Sequence, residues 1–461
     1  MLLQDAGSFR DISGHVFTDG TTVLRTVNAC YQEQWEALEA SGFLQRMEKE
    51  GLLVRHTERP PLPGSWKTLE VERIPFISYP YEWSFSQLKQ AALLTLQLQK
   101  RALEEGFILK DATAYNVQFV GSRPVFIDLL SFEKHDGKSA WQAYGQFCRH
   151  FVAPLALIAK TDWRCGLLSR QWIDGVPLDL ACRLLPWHAR LSPGLYLHLY
   201  LHAGMQKKYE DGRKAAAKVR SATMGRRQLL DLADSLERCV AGLSAPEQNT
   251  EWGEYYTDTN YTPAGAEEKS RIVERVAAEH GGELAVDLGA NTGVFSRMLC
   301  GHFKTVLAPD MDPRAVEKHA VSLAASGNAA ILPLVLDLSS PSPDSGWACR
   351  ERRSFMVRCD ADMVTALALC HHLVMGAGIP LPHVASFMAS LVRPGGIVLF
   401  EFVPREDSQV QRLLAARDDI FASYTLERCL ESFAEAGMRE EASFSIRDSV
   451  RTLHCFRKES R

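Results

Sequence analysis

The sequence lacks three features that would point directly to an environment or a partner: paired cysteines, long apolar runs and an excess of one charge. Its 11 cysteines stand singly among 461 residues, without a Cys-x-x-Cys pair. A dispersed set of odd number argues against a disulfide framework and a zinc site, and is typical of buried thiols in a reducing compartment. The longest apolar runs, such as residues 151–159, have about half the length that a membrane span requires.

The net charge and the first ten residues argue against further classes of protein, namely nucleic-acid-binding, membrane-associated and secreted proteins. The formal net charge of −4 does not draw the chain as a whole toward nucleic acid or an anionic membrane. A basic stretch from Lys207 to Arg227 is interpreted as a solvated helical face, since no aromatic residue interleaves with it beyond Tyr209. The first ten residues carry an acid and no apolar core, unlike a secretory signal. We therefore expect a cytoplasmic protein with neither a membrane span nor a nucleic-acid partner.

Three zones of different pattern predict the domain boundaries. Residues 1–190 mix hairpin signals with helices and predict an α+β domain. Residues 191–249 predict a helical connector and a linker. From 250 to 461, apolar strands alternate with helices, which predicts an α/β domain with a parallel sheet. The segment 442–456 differs, because it reads as two strands joined by a short turn and predicts an antiparallel pair at the end.

Individual elements are also predicted. A long helix is expected to begin after Ser84, because Ser84 and Gln87 have the spacing of a capping box, and to end at Gly106. The strands of the third zone are predicted at LAVDL (284–288), TVLAP (305–309), ILPLVL (331–336), ADMVTALAL (361–369) and GIVLFEF (396–402).

The first of these strands leads into the motif VDLGANTGVF. A strand that ends in Asp287, a turn with Gly289 and Gly293, and a following helix predict a nucleotide-cofactor loop. Between the glycines stands Asn291, the residue other than glycine that best tolerates a left-handed backbone. The next strand ends in Asp310, close to the separation of about 20 residues at which an acid meets ribose hydroxyls. A dinucleotide dehydrogenase is the competing interpretation, but the third glycine of its motif is missing.

VDLGANTGVF, APDMDP, VLDL, ALALCHHL and LVRPGGIVLFEF occur in the order found in class I S-adenosylmethionine-dependent methyltransferases, and residues 250–461 resemble that family. The resemblance implies a Rossmann-like seven-stranded sheet whose last strand is antiparallel, and S-adenosylmethionine as the cofactor. The cofactor-binding residues that it implies are Asp287, Gly289, Ala290, Asn291 and Gly293 around the methionine moiety, Asp310 at the ribose, and Asp337 with Leu338 at the adenine. Asn291 departs from the usual glycine.

The sequence is less specific about the residues that contact the methyl acceptor. His371 and His372 follow the fourth strand, whose end faces the cofactor crevice, and a neutral imidazole there is a candidate general base. Alternatively, both histidines line the pocket. Glu401 is a weaker candidate. The Asn-Pro-Pro-Tyr motif of amino-group methyltransferases is missing, which favours an oxygen or carbon acceptor, and no metal is predicted at this site.

Two further groups lie outside the motifs. Four aromatic residues are interpreted either as a lid over the site or as packing residues: Trp252, Tyr255, Tyr256 and Tyr261. Three arginines are interpreted either as a solvated loop or as contacts to an anionic substrate: Arg350, Arg352 and Arg353.

The N-terminal zone contains LKDATAYN (109–116) followed by PVFID (124–128). This layout of helix, loop, hairpin and carboxylate resembles protein kinases and aminoglycoside phosphotransferases. The resemblance implies that Asp111 orients an acceptor hydroxyl, that Asn116 and Asp128 bind Mg²⁺ with ATP, and that Arg25 stands where a phosphate-binding lysine is usual. No glycine-rich loop is evident, and Lys110 departs from the usual motif. Alternatively, these carboxylates cap helices or pair with arginines.

The whole layout, including PYEWSFSQLKQAALL and EFVPREDSQVQRLL, is similar to bacterial methyltransferases of the nodulation host-specificity type. That resemblance implies a small-molecule, glycan or lipid-linked acceptor. Three functions stay open: a methyltransferase whose N-terminal module recognises substrate, a bifunctional kinase–methyltransferase, and a binding scaffold without catalysis.

Overall fold

A computed structural model describes residues 2–205, 223–247, 261–415 and 420–459. Most of the basic stretch Lys207–Arg227 lies outside the described residues, as do Trp252, Tyr255 and Tyr256 of the aromatic group interpreted as lid or packing residues. Contacts group the chain into two compact units: unit 1 is Met1–Gln248 with Ser345–Arg352, and unit 2 is Asn249–Asp344 with Arg353–Arg461. The boundaries predicted at 190 and 249 stay a prediction. Within the described residues, none of the helices combines the length and hydropathy that a transmembrane span requires.

Unit 1 begins with a five-stranded antiparallel sheet of order β1-β2-β3-β5-β4, and two antiparallel strand pairs follow, β6 with β9 and β7 with β8. Its strands are β1 (Leu3–Gln4), β2 (Val16–Thr18), β3 (Val23–Val27), β4 (His56–Arg59), β5 (Lys67–Val71), β6 (Phe107–Leu109), β7 (Val117–Val120), β8 (Arg123–Phe126) and β9 (Phe132–Lys134). The predicted hairpins correspond to β2–β3 and β7–β8. The second of them separates LKDATAYN from Asp128.

In the described part of unit 1, the α-helices of four residues or more are α1 (Gln32–Ser41), α2 (Phe43–Lys49), α3 (Phe85–Glu104), α4 (Tyr144–Phe147), α5 (Ala153–Lys160), α6 (Leu168–Gln171), α7 (Leu178–Leu184) and α8 (Arg226–Ala241). The longest, α3, has the predicted capping box. The Ser84 hydroxyl accepts from the Gln87 N–H at 3.3 Å, and the Gln87 side chain accepts from the Ser84 N–H at 2.9 Å. Twelve buried side chains of α3, among them Leu96 and Leu98, make it the central core helix of the unit.

Unit 2 is built on a seven-stranded sheet of order β12-β11-β10-β13-β14-β16-β15. Its strands are β10 (Gly282–Leu288), β11 (Phe303–Asp310), β12 (Ile331–Val335), β13 (Ala361–Ala366), β14 (Val392–Phe402), β15 (Met438–Ser445) and β16 (Thr452–Lys458). The pairs among β10 to β14 are parallel, whereas β16 is antiparallel to both of its neighbours. This arrangement confirms the predicted sheet, its antiparallel last strand and the terminal strand pair.

The helices of unit 2 alternate with these strands. They are α9 (Pro263–Glu279), α10 (Val294–Leu299), α11 (Pro313–Ser326), α12 (Phe355–Arg358), α13 (Leu381–Leu391), α14 (Ser408–Leu414) and α15 (Leu426–Glu435). Between β12 and β13, a 3₁₀ turn at Trp347–Cys349 and the short α12 stand where a full crossover helix is usual. The strand order reverses direction between β10 and β13, so a crevice opens at the carboxyl ends of these two strands.

Candidate active site

The loop after β10 adopts a left-handed backbone at three positions. The φ angles are 70° at Gly289, 49° at Asn291 and 78° at Gly293. Glycine takes such values without a steric penalty, and asparagine is among the few other residues that tolerate them. The N–H groups of Gly289 and Ala290 donate to the carbonyl of Pro309 at 3.0 and 3.2 Å, which ties the loop to the end of β11. The turn therefore has the shape that its sequence predicts.

Gly293 has a second requirement, because a side chain there would overlap with the imidazole of His319. His319 lies on α11 and is buried, and neither of its ring nitrogens has a hydrogen-bond partner in the described part of the chain. Burial lowers the pKa of His319 to about 4, so the ring is neutral at physiological pH. A neutral imidazole thus packs directly against the glycine loop at Gly293.

Asp310 ends β11 and faces the same loop. One carboxylate oxygen accepts from the Asn291 N–H and the other from the Asp312 N–H, each at 2.8 Å. Burial raises the pKa of Asp310 to about 6, although both hydrogen bonds act in the opposite direction. The structure therefore brings together the glycine loop and the acid that was predicted to bind ribose.

Asp287 and Asp337 have different surroundings. Asp287 is buried, and its two oxygens accept from the hydroxyls of Ser296 at 2.6 Å and Thr365 at 2.8 Å. Its carboxylate consequently braces β10 against α10 and β13. Asp337 is exposed and accepts from the backbone and hydroxyl of Ser339, while Leu338 beside it is half-buried. The adenine contacts implied for Asp337 and Leu338 stay a prediction.

Beyond the crevice lies a buried cluster of charges centred on Glu401, near the end of β14. The Glu401 carboxylate is 0% exposed and accepts from Lys269 Nζ at 2.6 Å, from the Ala368 N–H at 2.9 Å and from the Tyr261 hydroxyl. Arg451 lies 3.6 Å from it. Burial by itself would raise the pKa of Glu401, but Lys269 and Arg451 lower it below the ordinary value. Glu401 is therefore an ionised and fully engaged carboxylate, which makes it a poor general base.

Arg451 is held in turn by Asp407. Its Nε and Nη2 atoms donate to the two oxygens of Asp407 at 2.7 and 3.0 Å, which is the strong bidentate arrangement. The Tyr261 ring lies between Arg451 and Lys269, with their cationic groups 5.0 and 4.8 Å from its centre. Two cations and two carboxylates thus balance in charge around one tyrosine.

His371 and His372 lie on the loop that follows β13, and a π-helical turn begins at His372. Their ring centres are 4.0 Å apart. His371 is 1% exposed, and neither of its ring nitrogens has a hydrogen-bond partner among the described residues. Burial lowers the pKa of His371 to about 2 and that of His372 to about 4. Both imidazoles are neutral at pH 7, so they can accept a hydrogen bond, but taking up a full proton is costly.

In unit 1, the four residues of the predicted phosphate site also lie close together. Arg25 donates to Asp128 at 3.0 Å and pairs with Asp11 as well. The other oxygen of Asp128 accepts from the Ser131 hydroxyl at 2.6 Å, and Ser131 accepts from the Asn116 amide at 3.2 Å. Both oxygens of Asp128 are thereby engaged by protein groups.

Asp111, the remaining residue of that set, accepts from the Thr113 N–H at 3.0 Å. Burial raises the pKa of Asp111, and the negative charge of Asp128 raises it further. Residues 345–352 belong to unit 1, where the Arg352 guanidinium lies 4.3 Å from the ring centre of Tyr115. Of the arginines interpreted as a solvated loop or as contacts to an anionic substrate, Arg352 therefore stacks on the tyrosine of LKDATAYN.

Comparison with known proteins places the chain in a family. It is 35% identical over 466 residues to "Nodulation protein NoeA" of Rhizobium meliloti (strain 1021), which covers 98% of this chain and 96% of the relative. The chain belongs to the NoeA family. No protein-family model matches the sequence.

Solved structures that resemble this NoeA family member are methyltransferases. N-methyltransferase NodS from Bradyrhizobium japonicum WM9 is 15% identical, with a TM-score of 0.32, over 43% of this chain and 98% of NodS. Magnesium protoporphyrin IX methyltransferase from Synechocystis PCC 6803, solved with bound S-adenosylmethionine, is 15% identical, with a TM-score of 0.31, over 45% of this chain and 89% of that chain.

Sequence reasoning missed the charge cluster of this NoeA family chain. Lys269 and Glu401 are 132 residues apart, and Asp407 and Arg451 are 44 apart, so no motif connects them. The only signal is that Lys269 interrupts the apolar face of α9, where a lysine is expected to be solvated. Tyr261, which was interpreted either as a lid residue or as a packing residue, lies within this cluster.

Proposed function

We propose that this NoeA family member is an S-adenosylmethionine-dependent methyltransferase whose reaction takes place in unit 2. The observation that carries the proposal is the hydrogen bond between the Asn291 N–H and the Asp310 carboxylate at the carboxyl ends of the parallel strands. It sets a left-handed, small-residue loop beside a buried acid at the point where open sheets bind their ligands.

The residues at this edge fit the proposed cofactor. The loop from Gly289 to Gly293 presents small side chains, so backbone and ligand can approach closely. It lacks the dense glycine run that cradles a pyrophosphate, which suits a cofactor without phosphates. Asp310 is the group suited to ribose hydroxyls, because a carboxylate has lone pairs beyond the two that accept the backbone N–H groups.

The chemistry is a displacement in which the acceptor atom takes a methyl group and the sulfur–carbon bond breaks. The bound cofactor supplies an activated methyl group on a sulfonium centre. We assign positioning of the acceptor to His371 and His372, whose neutral rings can accept a hydrogen bond from an acceptor hydroxyl. Their low pKa values disfavour full protonation before the new bond forms, so the acceptor proton departs late, when it is most acidic.

The acceptor class is the finer part of the proposal. Oxygen or carbon acceptors are favoured on the sequence, and a small-molecule, glycan or lipid-linked acceptor is suggested by resemblance to nodulation proteins. Unit 1 is proposed to recognise that acceptor. The position of Arg352 on Tyr115 supports this role, because the chain between β12 and β13 thereby contributes to unit 1.

A bifunctional kinase–methyltransferase is the second candidate, because Asp111, Asn116, Asp128 and Arg25 lie together. The fit to ATP and Mg²⁺ is poor, since Arg25 and Ser131 engage both oxygens of Asp128. Titration of the full chain with ATP, with and without Mg²⁺, distinguishes the two candidates. Metal-dependent binding that is lost in Asp128→Ala would favour bifunctionality, whereas no binding at millimolar ATP eliminates it.

The main test uses radiolabelled S-adenosylmethionine and a bacterial extract. The full chain is expected to transfer label to a discrete acceptor, and Asp310→Ala is expected to reduce this transfer strongly and to weaken S-adenosylhomocysteine binding about ten- to a hundredfold. Glu283→Gln is the matched control, since Glu283 is an exposed acid of unit 2 that pairs with Lys304. Absence of S-adenosylhomocysteine binding to the wild-type protein would leave the binding scaffold as the remaining interpretation.

A further inference from the structure

The loop that carries the two histidines begins at a strained residue. Ala368 has a φ of 52°, a left-handed backbone that alanine seldom adopts, and it stands three residues before His371. A conformation of this kind persists only where the surrounding structure holds it, and such positions concentrate at functional sites. At Ala368 the holding contact is the hydrogen bond from its N–H to Glu401 at 2.9 Å.

Glu401 is itself fixed from three sides. Lys269 reaches it from α9, Tyr261 from the residues before α9, and Arg451 from the residue before β16. The carboxylate has no access to solvent, so water cannot replace any of these partners. Burying two ion pairs costs desolvation energy that an apolar core would avoid. Buried ion pairs are therefore better explained by the single arrangement of side chains that they specify than by a gain in stability.

We propose that Glu401 is a positioning residue, which holds Ala368 and thereby places His371 and His372 against the methyl acceptor, with Lys269 as the counter-charge that keeps Glu401 ionised. The inference rests on the proposed methyltransferase function and extends it to a part of the chain outside the cofactor motifs. We place Glu401 away from the acceptor, because its carboxylate is 0% exposed and enclosed by protein groups.

The charge of Glu401 distinguishes this role from simple packing. Glu401→Gln keeps the shape and one oxygen, but its amide N–H₂ group then faces a cation or the Tyr261 hydroxyl where an acceptor is required. Lys269 and Ala368 share Oε2, so the glutamine either keeps its oxygen there and turns its N–H₂ group toward Arg451 and Tyr261, or loses both contacts. In both orientations the negative charge that balances Lys269 and Arg451 is gone, so we expect the turn at Ala368 to relax. Lys269→Met acts on the same contact from the other side, because the buried Glu401 carboxylate loses its nearest counter-charge and its pKa rises.

The test follows the histidines directly and needs no acceptor. Full-length protein labelled with ¹³C at the histidine rings is recorded in saturating S-adenosylhomocysteine, and the resonances of His371 and His372 are assigned by single replacement. In Glu401→Gln and Lys269→Met, we expect these two resonances to move by more than their line width. The resonance of His302, which is half-buried at the amino ends of β10 and β11 and pairs with Glu274, should stay in place. The affinity of both variants for S-adenosylhomocysteine should stay within about twofold of the wild-type value.

Glu283→Gln is the control, and Glu401→Asp is the second variant, since it retains the charge but shortens the reach to Ala368. Should Glu401→Gln not fold, Glu401→Asp carries the test with the same expected movement. Unmoved His371 and His372 resonances in a folded Glu401 variant would overturn the inference. Failure of the wild-type protein to bind S-adenosylhomocysteine would instead overturn the proposed function, so the two failures are distinguishable.

Discussion

The backbone N–H of Asn291 donates to the carboxylate of Asp310 over 2.8 Å, so the left-handed loop after β10 and the end of β11 form one unit. The hydrogen bond is charge-assisted only while Asp310 is ionised. Because burial has raised the pKa of Asp310 to about 6, its ionisation falls within an accessible pH range. The geometry of the proposed cofactor site should therefore depend on pH.

The first prediction concerns that dependence. Above pH 6 the Asp310 carboxylate is charged and accepts hydrogen bonds; as the pH is lowered through 6, it takes up a proton and one accepting position is lost. We expect affinity for S-adenosylhomocysteine, measured by calorimetry, to fall as the pH is lowered from 8 to 5. Asp310→Ala should bind about ten- to a hundredfold more weakly at pH 8, with no further fall toward pH 5.

The control for that experiment is Glu283→Gln, which removes an exposed carboxylate elsewhere in unit 2. It should reproduce the wild-type affinity and its pH profile. A wild-type affinity that is constant between pH 8 and pH 5 would show that Asp310 does not take part in binding.

The second prediction concerns the protonation of His371 and His372. Since burial lowers the pKa of both, their ring resonances should not titrate between pH 5 and pH 8 in the ligand-free protein. A histidine-containing model peptide in the same buffer provides the control and titrates near a pKa of about 6.5. If His371 titrates near neutrality, its environment is more polar than the structure indicates, and a general-base role gains weight.

The third prediction concerns the buried pair of Arg451 and Asp407. Removal of one partner leaves a buried charge without its counter-charge, so Arg451→Met should lower the free energy of unfolding by about 3–5 kcal/mol. The exposed pair of Lys304 and Glu283 provides the contrast, and Lys304→Met should cost about 0–1 kcal/mol. Scanning calorimetry of the full chain, in which the transition of unit 2 is recognised by its response to S-adenosylhomocysteine, measures both. Equal losses would mean that solvent reaches Arg451.

The part of the site that could be predicted from sequence is local. Gly289, Asn291 and Gly293 adopt a left-handed backbone. Glycine and asparagine are the residue types that tolerate this conformation, so the sequence indicates it directly. The position of Asp310 at the end of the next strand could be predicted because a strand–helix–strand unit has a regular length, which sets the spacing between the ends of neighbouring strands. Strand alternation and the terminal antiparallel pair are likewise read from periodicity within short segments.

What could not be predicted depends on tertiary proximity. Lys269 looks like an ordinary surface lysine of an amphipathic helix until the sheet brings Glu401 beside it. The same holds for His319, whose position beneath Gly293 depends on how α11 packs. In unit 1, the spacing of Asp111, Asn116 and Asp128 predicted that they lie together, but not that Arg25 would pair with Asp128 and Asp11 at once.

The fourth prediction tests the capping box that sequence spacing predicted at the start of α3. Ser84→Ala removes the hydroxyl that accepts from the Gln87 N–H and leaves this buried donor without its acceptor. We expect a loss of about 1–2 kcal/mol in the stability of unit 1, measured by urea denaturation. Ser84→Thr retains the hydroxyl and should recover most of it. A Ser84→Ala protein as stable as the wild type would mean that packing of α3 alone determines where the helix begins.

The last prediction separates the two requirements at Gly293, which are its left-handed backbone and its contact with His319. Gly293→Ala should cost more than Gly327→Ala, because Gly327 has a similar φ of 65° but open space where a side chain would stand. The backbone term is of order 1 kcal/mol at both positions, so the excess at Gly293 measures the clash. When Gly293→Ala is added to His319→Ala and compared with His319→Ala alone, it should cost only the backbone term, because the ring is gone. Calorimetric unfolding of the four variants decides the matter: if the excess persists without the His319 ring, the loop is constrained by something other than this imidazole.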